Sequence, residues 1–130
     1  MEREESLYPK DWFTIGDKEI ERARNLLKLG DLEGAGFNIQ QAVEKYLKGY
    51  LLSKGWVLKR IHDLDALLNE IIQFESSFEE FRTACRKMTD YYVEERYPLT
   101  APSQLFDTEI RESLTIAESI IAKIKALTGT

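Results

Sequence analysis

Between Ala35 and Leu51 the apolar residues Ala35, Ile39, Ala42, Val43, Tyr46, Leu47, Tyr50 and Leu51 recur at steps of three and four. A helix with about 3.6 residues per turn gathers such positions onto one side, and that pattern commits the segment to a helix with a broad apolar face. Glu44 and Lys48 sit four residues apart on it, a favourable pair worth on the order of a few tenths of a kcal/mol.

The flanking segments repeat the helical spacing. Trp12, Phe13, Gly16, Ile20, Ala23 and Leu27 mark a first helix that starts near Asp11, placed to cap it, and is ended by Gly30. Gly30-Asp31 makes a tight turn, with Asp31 a candidate cap for the second helix. A connection this short makes the two helices antiparallel neighbours. The second helix stops near Gly55, and a loop with Trp56 and Val57 leads to a short third helix over roughly 63–73. Phe78, Phe81, Cys85, Met88 and Tyr92 trace the core stripe of a fourth helix. Tyr97-Pro98 through Ala101-Pro102 breaks the pattern, because proline removes a donor and pushes its predecessor out of the helical region. Phe106, Ile110, Leu114, Ala117, Ile121 and Ile124 give a last long helix. With no strand pattern, repeat or low-complexity tract, the expected fold is all-α: an antiparallel up-and-down bundle of four main helices plus one short helix.

At 130 residues the chain suits one domain, residues 1–130, able to bury roughly two thirds of its unfolded surface. Cys85 and His62 are its only cysteine and histidine, so it can form no internal disulfide and no Cys/His zinc site, and neither metal nor cofactor is expected. The charged start, 1–10, has no signal-peptide pattern, and no apolar run approaches the roughly 20 residues of a spanning helix. The expectation is a cytoplasmic protein without membrane association. A net charge of −5 argues against extensive nucleic-acid binding. Locally the balance differs: Lys45, Lys48, Lys54, Lys59 and Arg60 fall in a stretch without an acid, whereas residues 1–34 carry nine acids and six bases. That basic stretch reads either as a solvated helix face and loop or as a patch for a phosphate-bearing ligand or acidic partner.

The run Gln40, Gln41, Ala42, Glu44, Lys45, Leu47 and Lys48, followed by Gly55 and then by His62, Asp63 and Leu64, resembles the signature of the HEPN family of small helical domains. The likeness covers about residues 11–127 and implies the same bundle. Many HEPN proteins are metal-independent ribonucleases that pair an arginine with a histidine after four to six intervening residues, at a dimer interface. The cation holds the scissile phosphate while the imidazole takes the 2′-hydroxyl proton. Here Arg86 occupies the arginine position, but Tyr91, Tyr92 and Val93 stand where its histidine would be. His62 has Gly55, Trp56 and Val57 where its arginine would be. A tyrosine with a pKa near 10 is a poor base at neutral pH, so no catalytic residue is assigned.

The fourth helix instead resembles a HEPN branch that ends in a tyrosine-rich stretch and Arg-Tyr-Pro, here Tyr91, Tyr92 and Arg96-Tyr97-Pro98. That branch is often encoded beside a small nucleotidyltransferase subunit. Arg86 and Asp90 are placed to pair at i,i+4, and Tyr92 to follow Met88 into the core, leaving Tyr91, Glu95 and Arg96 nearer a cleft or interface. Arginine can grip a phosphate and tyrosine can stack on a base, although the same residues also suit an ion-paired helix end. Candidate ligand-binding residues are therefore Arg86, Asp90, Tyr91, Arg96, Tyr97, Lys45, Lys48 and His62. His62 is either part of the turn capped by Asp63 or, with Lys59 and Arg60, faces a nucleotide or partner. The resemblance implies a homodimeric nucleotide-binding or docking module acting with a nucleotidyltransferase subunit in a toxin–antitoxin-like pair. The alternative is a divergent ribonuclease toxin.

Overall fold

The computed structural model describes residues 5–96 and 105–130, with 93–96 described by backbone alone. Its helices are α1 (Pro9–Lys28), α2 (Leu32–Ser53), α3 (Leu64–Ile72), α4 (Arg82–Arg96) and α5 (Asp107–Thr128), with a 3-10 helix, Ser76–Phe81, leading into α4. No strand occurs among the described residues. The predicted all-α bundle is the observed one. The expected breaks at Pro98 and Pro102 lie outside the described residues.

α2 is the central helix and packs against α1, α3, α4 and α5. It buries Ala35, Ile39, Ala42, Val43, Tyr46, Leu47, Tyr50 and Leu51, every member of the apolar series that marks it in the sequence. α1 runs antiparallel to it at close range. A Cβ on Gly16 would sit 2.5 Å from the Tyr46 ring, and one on Gly49 would sit 2.5 Å from the Phe13 ring. Those two glycines let Phe13 and Tyr46 stack between the helices at 5.0 Å.

The helix ends follow local chemistry. Asp31 accepts from the Gly34 amide at 2.8 Å, a cap worth about 1 kcal/mol. Asp63 accepts from the Asp65 amide at 2.9 Å and starts α3. Gly30 and Gly55, with φ of 79° and 83°, take the left-handed conformation just beyond α1 and α2 that a side chain would resist. Asp11 is not the cap expected of it: α1 begins earlier, with Pro9, whose fixed φ and missing N–H suit a first turn. Asp11 lies inside that turn and accepts from Ser6 Oγ at 2.6 Å.

Two further differences arise around α4 and α5. Phe78 and Phe81 lie on the 3-10 helix, where a three-residue period keeps both rings in the core. Phe106 precedes α5 and is 59% exposed, whereas Ile110, Ala117, Ile121 and Ile124 are buried as expected. No helix among the described residues is long and apolar enough to cross a membrane.

Candidate functional site

Gln40, Gln41, Glu44, Lys45 and Lys48 occupy successive turns of α2, and the loop before α3 brings His62 to them. At their centre is the Glu44 carboxylate, whose side chain is 1% exposed. Its Oε1 accepts from Gln40 Nε2 at 3.1 Å and lies 3.0 Å from His62 Nδ1. Its Oε2 accepts from Lys48 Nζ at 3.2 Å and Lys45 Nζ at 3.3 Å. Gln40 Nε2 also reaches the His62 carbonyl at 3.0 Å, and Gln41 joins Gln40 to Lys45 at 2.7 and 3.1 Å.

Burial by itself would raise the Glu44 pKa; the Lys45 and Lys48 charges, then the hydrogen bonds from His62 and Gln40, outweigh it and hold the carboxyl below its ordinary value. Glu44 is therefore ionised at neutral pH. An ionised carboxylate only accepts, so its contact with His62 places a proton on Nδ1. Lys48 is nearly as buried as its partner and lies 5.7 Å from the Trp12 ring centroid, which adds a cation–π attraction. The expectation of a solvated face at Lys45 and Lys48 fails for Lys48, because Trp12 closes over it. Trp12 is fixed in turn by a 2.8 Å bond from its Nε1 to the Ser6 carbonyl.

Above this network opens a cleft of about 370 Å³, with Glu44 and Lys48 in its lining. Trp12 and Ile15 of α1 contribute apolar surface to its lining, Glu5 and Asp11 carboxylates, and Lys45, Arg60 and His62 basic groups. Among the described residues, no ion pair or hydrogen bond engages Arg60 or Glu5. His62 is half-exposed and stacks on Tyr92 at 4.9 Å and 13°, and Tyr92 stacks on Phe37 at 6.0 Å and 24°. This ring stack joins the cleft to the far end of α4.

Of the residues singled out in the sequence, Lys45, Lys48 and His62 meet here, together with Arg60. Lys59 turns away to pair with Glu70 at 3.1 Å. Arg86 belongs to a different cluster: its Nε reaches Asp65 Oδ1 at 3.2 Å instead of Asp90, and Arg82 binds the same oxygen at 2.8 Å. Asp90 is exposed. Tyr91 and Tyr92 exchange their expected places. Tyr91 is 3% exposed, packs over Gly36 and lies 2.9 Å from Ser113 Oγ, while Tyr92 faces His62. The Arg96 side chain and Tyr97 lie outside the described residues. Cys85 is buried on α4, and burial, with a smaller contribution from Asp65, pushes its thiol up to about 12, so it stays protonated. Trp12 is the anchor expected of it; Trp56 packs partly buried on the core, its indole N–H without a partner among the described residues.

Sequence reasoning missed the two acids of the cleft and the enclosure of Glu44. The signal for the second was present, since Glu44 stands inside the family-like run between buried Val43 and Leu47. Glu5 and Asp11 had no comparable signal, because they reach the cleft only through the packing of α1 on α2.

Bundle, central helix and polar network make this a small all-helical domain with one buried carboxylate, Glu44, among the described residues. The HEPN domain model matches residues 9–127, and the chain belongs to the HEPN domain family. It is similar to the crystal structure of TT1696 from Thermus thermophilus, with 29% identity, a TM-score of 0.81, and coverage of 91% of this chain and 96% of that one. The structure of ST0689, an archaeal HEPN homologue, shares the fold at 24% identity and a TM-score of 0.74, covering 92% and 97% of the two chains. No match was found among curated proteins.

Proposed function

We propose that this HEPN domain is a nucleotide-binding or docking module that forms a homodimer and acts with a small nucleotidyltransferase subunit, in a toxin–antitoxin-like pair. One observation carries the nucleotide part: Arg60 lines a cleft beside the Glu44 network with no ion pair or hydrogen bond among the described residues, and His62, held there through Nδ1, keeps Nε2 for a ligand. Arg60 has a full guanidinium available for phosphate oxygens, and the His62 ring adds a second polar contact. Trp12 and Ile15 give an apolar wall for a base or sugar. Isothermal titration with nucleoside monophosphates tests the reading. Binding that weakens about tenfold in Arg60→Ala supports it, as expected for a lost charge-assisted contact. Absence of binding to any nucleotide removes the ligand and leaves docking alone. Co-purification with a small nucleotidyltransferase subunit and light scattering at dimer mass test the partner and the assembly.

A ribonuclease reading is favoured by one observation. His62, the only histidine, has a carboxylate behind it and cations beside it, an arrangement able to take a proton. Against it, Arg86 is held by Asp65 and does not line the cleft. RNA cleavage lost in both His62→Ala and Arg86→Ala would favour it over the module.

A further inference from the structure

The cleft carries charges of both signs that do not neutralise each other. Arg60 makes no ion pair among the described residues, and neither do Glu5 and Asp11, although all three line the same opening. The Asp11 carboxylate accepts one hydrogen bond among the described residues, from Ser6, which leaves it acceptor capacity. The acids come from the start of α1 and its lead-in; Arg60 and His62 come from the loop before α3. These are separate elements, and no ion pair among the described residues joins Arg60 to either carboxylate, so both signs of charge stay open to a ligand in the cleft.

Building on the nucleotide reading, we infer that the cleft selects nucleotides whose base carries an exocyclic amino group, with the phosphate toward Arg60 and His62 and the amino group toward Glu5 and Asp11. Carboxylates accept and never donate when ionised, so Glu5 and Asp11 reward a base presenting N–H donors. Cytosine presents an N4 amino donor and adenine an N6 amino donor, whereas the uracil ring offers a carbonyl oxygen at the matching position. A carbonyl facing two carboxylates loses a hydrogen bond and meets like partial charge. A ligand anionic at both ends would be repelled by the same two carboxylates. The cleft's volume, about 370 Å³, falls in the range of small-molecule sites.

The matched pair CMP and UMP isolates the amino group, and AMP with IMP repeats the test on a purine. Isothermal titration of the full chain at fixed ionic strength should give CMP about fivefold tighter than UMP. Glu5→Gln with Asp11→Asn should bring the two within about twofold, and Glu5→Gln alone, which disturbs no contact among the described residues, should move them part of the way. Arg60→Ala should weaken both nucleotides, and inorganic phosphate, by a similar factor. Equal affinity for CMP and UMP in the wild-type protein overturns the amino-group selection and leaves nucleotide binding standing. Failure of all four nucleotides to bind overturns both.

Discussion

Two clusters in this protein share one plan, a carboxylate serving two cations, and differ in where it is carried out. At the cleft, Glu44 serves Lys45 and Lys48; between α3 and α4, Asp65 serves Arg82 and Arg86. The Glu44 side chain is 1% exposed, against 27% for Asp65. Water can replace a partner lost from Asp65, but it has little access to the Glu44 carboxylate or the Lys48 ammonium. Equal numbers of ion pairs therefore carry unequal consequences. The buried set fixes a geometry, and the exposed set mainly tethers helices.

The largest expected effect breaks the buried set. Glu44→Ala leaves Lys48 buried beside no carboxylate and should lower unfolding free energy by about 3–5 kcal/mol in urea titrations. A loss no larger than that of Asp65→Ala would erase the contrast between the clusters.

Acid provides a reversible form of the same break. The folded Glu44 carboxyl titrates below its ordinary value of 4.5, so its contribution is fully present above that pH and is lost as pH falls through the lowered folded value. Comparing wild type with Glu44→Gln by denaturation at several pH values, the stability gap should be widest at neutral pH and should narrow below 4.5. A gap independent of pH would show that Glu44 is not the carboxylate being protonated. Asp65, whose carboxyl is also lowered, chiefly by its hydrogen bond with Arg82, leaves the variant with acid sensitivity of its own.

Smaller effects sharpen the comparison. Tyr91→Phe removes the buried contact with Ser113 and should cost about 1 kcal/mol, measured as a shift in the urea midpoint. Asp65→Ala should cost less, about 0.5 kcal/mol, because solvent screens the arginines it leaves behind.

The bundle was legible because helical spacing and turn chemistry agree along the chain. The apolar series of α2 and the Asp31 and Asp63 caps each depend on neighbours within a few residues. What sequence reasoning lost depended on phase and on distant neighbours. After Met88, a step of three reaches Tyr91 and a step of four reaches Tyr92, and both satisfy a helix. The choice was made by Gly36 on α2, which leaves room for the Tyr91 ring. Likewise Arg86 had a partner at Asp90 by local spacing, but α3 brought Asp65 closer. At the cleft, the basic members could be read from charge and resemblance. The burial of Lys48 could not, because it depends on Trp12 arriving from another helix.

The stack of His62 on Tyr92 also gives the protein an internal spectroscopic reporter. With one histidine in the chain, its imidazole protons yield a single set of resonances, displaced by the ring current of a tyrosine whose centroid is 4.9 Å away. A ligand that enters the cleft, or a partner that tilts the end of α4, changes that displacement. Nuclear magnetic resonance on the unlabelled domain can thus follow both events through one signal.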